Sequence, residues 1–293
     1  MSGHGHAHEH SHAHDHAHEH GHDHAPGHGH AHTDPATARV VLALGPESEQ
    51  MPDLGIPAAR PGRGLADAVT GTARSESGEA GLVVVVPMTF GRAPAMVADC
   101  SRTLRDVRAR LAHGADGTDR TGAVALAAPF GDATMLVSRL RAALRRHEAA
   151  CAALVVSRAI DPFADAELFR LARLARQYGR PSLVEVAFHG GDDPDPDLSE
   201  GLERVRALGG GAPVLLPATF DPAPVTGLDL PGEGAPLMGP AVLRSVIDTR
   251  VAEAVHRFDH GDDGIDAALD AEDGHGYAHS HVAADGTVYT HSH

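Results

Sequence analysis

The sequence predicts an α/β protein in which two tandem halves each contain a parallel sheet, flanked by two disordered tails rich in histidine. Three observations lead to this prediction. Short apolar runs alternate with helical stretches between residues 40 and 257. A set of motifs occurs twice, in the same order, within that segment. Nineteen of the 24 histidines lie in the two end segments, fourteen at residues 4–32 and five at residues 275–293.

Continuous apolar runs define the expected strands. They lie at residues 40–44, 82–86, 123–127, 153–157, 183–188 and 213–216. Helices are expected at residues 95–112, 133–150, 163–177, 198–208 and 241–256. Because the strands are apolar along their whole length, helices should cover them on both faces, as in a parallel sheet. Residues 45–81 are rich in Gly, Pro and Ser and predict a loop with one short helix near residues 65–74.

An internal repeat relates residues 39–150 to residues 151–258. An apolar strand followed by the pattern Pro-x-Thr-Phe-x-x-Ala-Pro occurs at residues 83–94 and again at residues 214–224. From the first strand to the shared proline, half one takes 46 residues (41 to 87) and half two takes 64 (153 to 217). We therefore expect half one to be shortened by about a strand and a helix.

Composition excludes several classes of function. The net charge is −16, but the middle of the chain holds 24 Arg against 27 acids, which argues against binding of nucleic acid. Cys100 and Cys151 are too few for a disulfide scaffold, a four-cysteine zinc site or an iron–sulfur cluster. The sequence contains no glycine-rich phosphate loop, so we expect no bound nucleotide. The chain has no apolar run of about 18 residues and no secretory apolar region, so we expect a cytoplasmic protein without a membrane partner.

The N-terminal tail, residues 1–35, is predicted to be disordered and to bind metal. Between residues 4 and 24 every even-numbered residue is histidine, and the odd positions are small or acidic. Neutral imidazole suits cobalt, nickel, zinc and copper better than magnesium or calcium. A purification tag or genetic drift is the alternative interpretation. The candidate ligands are His4, His6, His8, His10, His12, His14, His16, His18, His20, His22, His24, His28, His30 and His32.

The C-terminal segment, residues 259–293, is predicted to be an acidic linker followed by a metal-binding hairpin. Asp285-Gly286 between alternating residues is a hairpin signal. A three-residue loop at 284–286 would pair His279 with His291, and it would place His279, His281, His291 and His293 on one face. A two-residue turn would split them between two faces. A floppy tail that binds metal loosely is the alternative.

Half two resembles the opening and later motifs of the small class II chelatases. The residues that carry the resemblance are ALVVSRAIDP at 153–162, DAEL at 165–168, LARL at 171–174, VEVAF at 184–188, EGLER at 200–204 and PVLLP at 213–217. These sirohydrochlorin chelatases insert cobalt, iron or nickel into a tetrapyrrole on the way to cobalamin or siroheme. The resemblance covers about residues 40–257 and implies two flavodoxin-like halves with the tetrapyrrole in the cleft between them.

The resemblance also implies two catalytic histidines, and both are missing. Where the family has His-Gly-Ser after its first strand, this chain has Gly-Pro-Glu-Ser at residues 45–48, and where a second His is expected it has Gly-Arg-Ala at 91–93. Glu47 and His189 are the remaining candidates for a metal ligand or a base, with a solvated loop histidine as the alternative for His189. Arg92 and Arg158 are candidates for pairing with substrate carboxylates, with surface arginines as the alternative. Thr89 and Thr219, the threonines of the repeated motif, are further candidates for binding substrate.

Two classes of function follow. In the first, the protein is a sirohydrochlorin chelatase-like lyase that inserts or supplies a divalent metal, with cobalt as the first expectation. In the second, it is a non-catalytic metallochaperone or storage protein for cobalt, nickel or zinc. A third alternative is a degenerate relative whose tails merely sequester metal. The expected partners are a tetrapyrrole and metal ions.

Overall fold

A computed structural model describes residues 33–73, 81–112, 123–147, 152–177, 182–191, 194–223, 236–271, 279–282 and 288–291. Within residues 279–282 and 288–291 it describes the backbone only. The predicted disorder and metal ligands of residues 4–32 lie outside this part of the chain, and so does His293.

The first sheet is parallel and has the order β2-β1-β3-β4. Its strands are β1 (Arg39–Ala43), β2 (Ala58–Ala59), β3 (Val83–Pro87) and β4 (Val124–Leu126). Its segment of the chain also forms helices α1 (Arg63–Ala73), α2 (Pro94–Ala112) and α3 (Ala133–Arg146). The stretch expected to be a loop with one helix therefore contains α1 as predicted, together with the two-residue strand β2.

The second sheet is also parallel and has the order β6-β5-β7. Its strands are β5 (Ala152–Arg158), β6 (Leu183–His189) and β7 (Val214–Pro217). The helices of this segment are α4 (Pro162–Gln177), α5 (Leu198–Ala207) and α6 (Pro240–Asp259). The predicted α/β class with two parallel sheets is confirmed.

Local sequence sets where several helices begin. Pro94, Pro162 and Pro240 each occupy the first position of a helix, where the missing N–H costs no hydrogen bond. Asp132 caps α3 by accepting a hydrogen bond from the Met135 N–H at 2.7 Å.

No helix in the described part of the chain is long and apolar enough to cross a membrane.

The core is built from strands whose successive residues face opposite sides. Leu42 and Val84 belong to a central cluster, whereas their neighbours Val41 and Val83 belong to a cluster beneath α1 and α2. The central cluster also contains Val155 from the second sheet. All five of these side chains are at most 1% exposed, so the two sheets share one apolar interior.

The last helix of each segment packs against the other segment: α6 contacts the first sheet, and α3 contacts α4. Helix α6 follows the second sheet in sequence but contacts β3 and β4 of the first. On α6, Arg250 donates from Nε to the Phe130 carbonyl at 3.2 Å, and Arg257 donates from Nη2 to the Leu126 carbonyl at 3.0 Å. Residues of α3 line a small cavity together with Leu215 and Leu216 of β7. The first sheet therefore obtains part of its cover from the second half, and helices of both halves pack together.

Residues 259–271 differ from the predicted linker, because they dock against the first sheet and α2. The Leu126 N–H donates to the Asp263 carbonyl at 2.8 Å, and Arg108 on α2 pairs with the Asp263 carboxylate at 2.5 Å. Ile265 is fully buried. Gly264 has φ +71°, and a Cβ there would overlap the Leu126 carbonyl. Because Ile265 is buried and the Asp263 carboxylate is paired, residues 259–271 belong to the folded α/β part of the chain.

The C-terminal hairpin has the predicted register. Strands β8 (His279–Val282) and β9 (Val288–His291) pair antiparallel, and His279 lies opposite His291. Ser280 lies opposite Thr290, so a register that would split the histidines between two faces is not observed.

Candidate functional site

A cleft of about 390 Å³ opens where strands of both parallel sheets reach their carboxyl ends. In α/β proteins, ligands bind at this edge of the sheet because the loops that follow the strands converge there. The lining combines apolar side chains with three carboxylates and one arginine. The lining includes Leu44, Met96, Ile160, Glu49, Asp99, Asp161 and Arg60.

The repeated motif forms a contact between the two halves beside this cleft. Phe90 follows β3 and Phe220 follows β7, and their rings stack with centroids 4.4 Å apart and an interplanar angle of 4°. Phe130 meets both rings edge-on, at 5.9 and 4.9 Å. All three are nearly inaccessible to solvent. Equivalent residues of the repeat, Phe90 and Phe220, therefore contact each other in the interior.

Glu47 lies in the loop after β1 and is fully buried. Its Oε2 accepts hydrogen bonds from the Thr89 hydroxyl and from the Phe90 N–H, the latter at 3.1 Å. Its Oε1 has no hydrogen-bond partner among the described residues. Burial raises the pKa of Glu47, and the nearby charge of Arg92 opposes that rise. Glu47 is therefore a buried carboxyl group that is closed off from the cleft.

Arg92 is 2% exposed and joins the two halves. Its Nε donates to the Ala164 carbonyl at 3.1 Å, its Nη1 to the Ser157 hydroxyl at 2.6 Å, and its Nη2 to the Asp165 carboxylate at 3.1 Å. Burial lowers the pKa of Arg92, while Glu47 and Asp165 oppose that change. The structure therefore places Arg92 in a buried network, and its expected pairing with substrate carboxylates would need that network to open.

The two threonines of the repeat have different partners. Thr89 donates to Glu47, whereas Thr219 donates to the Asp221 carbonyl at 3.2 Å. Both are at most 2% exposed. Their side chains stabilise the loops after β3 and β7, and neither lines the cleft.

Arg158 and His189 form a second group, together with a residue that the sequence analysis missed. They lie side by side at the ends of β5 and β6. Arg158 pairs with Glu49 at 3.0 Å, and Glu49 also pairs with Arg60 at 2.5 Å. Gly190, with φ +62°, allows the chain to pass close to the Arg158 guanidinium. Glu49 lies two residues after Glu47, directly after the Gly-Pro-Glu-Ser turn at residues 45–48. Its position next to that turn is the signal in the sequence that points to it.

His189 is half-buried, and its environment favours the neutral imidazole. Burial and the charge of Arg158 lower its pKa, and Glu49 raises it by a smaller amount. A neutral imidazole can accept a proton or bind a metal ion. Of the two candidate bases from the sequence, His189 is the one with access to solvent.

Asp221 ties the loop after β7 to the loop after β1. Its Oδ1 accepts a hydrogen bond from the Gln50 N–H at 2.8 Å, and the neighbouring Phe220 N–H donates to the Glu47 carbonyl at 2.8 Å. Burial raises the pKa of Asp221 to about 6, and the charge of Glu49 adds to the rise. Folding therefore makes the charged form of Asp221 less favourable than it is in the unfolded chain.

Asp221→Asn should flatten the dependence of stability on pH. The folded protein holds the Asp221 proton more tightly than the unfolded chain, so the wild type should lose stability as pH rises from 3.8 to about 6. Asparagine retains the acceptor oxygen for Gln50 and has no charge. Urea unfolding at pH 4, 5, 6 and 7 checks this difference. Parallel stability profiles for the wild type and the variant would contradict it.

Within the described residues, no group of three or more His, Cys, Asp or Glu side chains is arranged to hold a metal ion. The side chains of His279, His281 and His291 lie outside that description.

No family model, no curated protein and no solved structure matches this chain.

Proposed function

We propose that this protein is a chelatase-like metal-handling protein that inserts or supplies a divalent metal ion, cobalt first, for a tetrapyrrole of the sirohydrochlorin type. The observation that carries the proposal is the cleft at the carboxyl edges of two parallel sheets related by an internal repeat. The proposal includes flavodoxin-like ancestry for both halves and a cytoplasmic location.

Apolar side chains and nearby arginines make the mouth of the cleft suitable for a flat macrocycle that carries carboxylates. Leu44, Met96 and Ile160 provide apolar surface for the ring system. Arg60, whose side chain is 67% exposed, and Arg158, at 31%, lie on either side of Glu49. A substrate acetate or propionate group can replace Glu49 as the partner of either guanidinium.

Metal insertion also needs a base for the pyrrole N–H protons and a source of ions. His189 is the accessible imidazole beside Arg158, and its lowered pKa keeps it able to accept a proton at neutral pH. Glu47 can contribute only if its contacts with Thr89 and Phe90 open. The histidine-rich tails are the proposed source of the metal, which is the substrate of the reaction.

An insertion assay tests this function. Sirohydrochlorin and limiting cobalt are incubated with the full chain, and the absorbance change of insertion is followed. We expect a rate above the spontaneous one, and a slower rate when residues 1–33 and 275–293 are removed. His189→Gln should reduce the rate further if the imidazole accepts the proton. If no form exceeds the spontaneous rate, insertion is excluded.

A second candidate is a non-catalytic metallochaperone or metal-storage protein for cobalt, nickel or zinc. Two observations favour it: Glu47 is closed off from the cleft, and the lining carries three carboxylates against one arginine. Such a lining favours a cation over a polyanion. The same assay separates the candidates, because a chaperone or storage protein would not raise the insertion rate above the spontaneous one.

A further inference from the structure

Two histidines lie one turn apart at the carboxyl end of α6. His256 belongs to the last turn of the helix, and His260 is its C-cap residue. Both residues are exposed to solvent. Their rings meet edge to face, with centroids 4.6 Å apart and an interplanar angle of 77°. Neither belongs to the histidine-rich tails, and the proposed function uses neither of them.

The distance between the two rings suits chelation of one metal ion. Residues i and i+4 of a helix lie on one face, with Cβ atoms about 5–6 Å apart. An ion about 2.1 Å from an imidazole nitrogen lies about 3.2 Å from the ring centroid, so two rings that bind at a right angle have centroids about 4.5 Å apart. The observed 4.6 Å agrees with that value. Because the terminal torsion of histidine is broad, each ring can turn one nitrogen toward a shared ion.

The end of α6 also favours a cation. The carboxyl end of a helix carries a partial negative charge from its last carbonyl groups. The arginine between the two histidines, Arg257, donates to the Leu126 carbonyl at 3.0 Å and lies 3.5 Å from the Asp262 carboxylate. Its charge is therefore balanced by a carboxylate and opposes the binding of an ion only weakly.

We propose that His256 and His260 form a two-histidine site for one divalent transition-metal ion of the nickel class, with water in the remaining positions. Nitrogen ligands at right angles are typical of tetragonal Ni²⁺. Two ligands are consistent with the absence of any group of three or more metal-binding side chains among the described residues. The proposal goes beyond the proposed function, because it involves neither the cleft nor a tetrapyrrole.

The position of the pair in the chain links it to the N-terminal histidines. The Thr33 N–H donates to the Asp259 carboxylate at 3.0 Å, and Asp259 directly precedes His260. In the sequence, Thr33 follows His32, the last of the fourteen N-terminal histidines. An ion held by the pair therefore lies close to the residue with which the histidine-rich segment joins the described chain.

Two variants that keep the composition of the full chain test the spacing of the pair. In the separated pair, His256→Thr combined with Thr249→His leaves the two imidazoles 11 residues apart, about three helical turns. In the shifted pair, His260→Ala combined with Ala252→His places two imidazoles four residues apart, one turn earlier. Thr249 and Ala252 are exposed positions of α6, and unfolding without metal gives the baseline for each variant.

Urea unfolding at a series of buffered free Ni²⁺ concentrations measures the binding. An ion that is chelated only in the folded helix raises the urea midpoint, because the unfolded chain lacks the spacing. We expect the wild type and the shifted pair to show the same rise. The separated pair should need on the order of tenfold more free Ni²⁺ for that rise, since a chelate becomes a single imidazole. The tails are identical in all three proteins, so their contribution cancels.

Three outcomes of this comparison would overturn the proposal. The first is a wild type whose midpoint does not rise with Ni²⁺, which would mean that the two rings contact each other without binding metal. The second is a separated pair that responds to Ni²⁺ like the wild type. The third is a shifted pair that responds only as weakly as the separated one.

Protection from diethyl pyrocarbonate gives a second readout that needs no variant. Peptide mapping of the wild type should show that Ni²⁺ slows modification of His256 and His260 and leaves His147 unaffected. His147, the C-cap residue of α3, is a single imidazole at a helix end and serves as the control. Equal protection of all three would contradict a chelate. Failure of the insertion assay leaves both measurements unaffected, so the two proposals fail separately.

Discussion

Arg92→Ala is expected to lower the free energy of unfolding by about 3–5 kcal/mol, the range for removing one partner of a buried ion pair. The substitution removes three hydrogen bonds that join the loop after β3 to β5 and to the first turn of α4. It also leaves the Asp165 carboxylate without its guanidinium partner and Glu47 without the nearby positive charge. Urea unfolding followed by circular dichroism measures the change.

Arg170→Ala is the matched control for Arg92→Ala. Arg170 also pairs with a carboxylate, that of Glu167 at 2.5 Å, but its side chain is 57% exposed. Exposed pairs of this kind contribute about 0–1 kcal/mol. If both variants lost the same stability, the buried network would not be what joins the halves.

Phe220→Ala is expected to lower the free energy of unfolding by about 3–5 kcal/mol, because it leaves a cavity in the shared interior. Phe220 is 2% exposed and contacts both Phe90 and Phe130. A double-mutant cycle with Phe90→Ala should give a coupling energy of about 0.5–1.5 kcal/mol for the stacked pair. Thermal and urea unfolding of the four proteins provide the measurement.

The control for this cycle is Phe163→Ala in the first turn of α4, where the side chain is 63% exposed. Its expected effect is within about 0.5 kcal/mol. A coupling energy of zero between Phe90 and Phe220 would show that the repeat-related rings stabilise the halves independently.

Most strands and helices were predictable because their signals are local. The run at residues 183–188 predicts β6, which ends one residue later at His189. The repeat predicts equivalent loops after β3 and β7. The hairpin has the first of its two predicted registers, the one that pairs His279 with His291. These features depend on residues close together in sequence, where periodicity and turn chemistry determine the outcome.

The remaining features depend on contacts between distant segments. Strand β2 has only two residues and forms because β1 offers an edge. Helix α6 packs on the first sheet, and residues 259–271 dock beside it through the Arg108–Asp263 pair. The burial of Glu47 and Arg92 results from the approach of the two halves, so their residue types indicate chemistry but not accessibility.

We propose that a tetrapyrrole binds in the cleft, and a titration of the full chain with sirohydrochlorin tests this proposal directly. We expect one molecule bound per chain. Ala95→Trp, at an exposed position of the lining in the first turn of α2, should weaken binding on the order of tenfold or more. Ala241→Trp, at the corresponding exposed position after the proline that begins α6, should bind like the wild type. Absence of binding to the wild type, or equal binding by both variants, would contradict the claim.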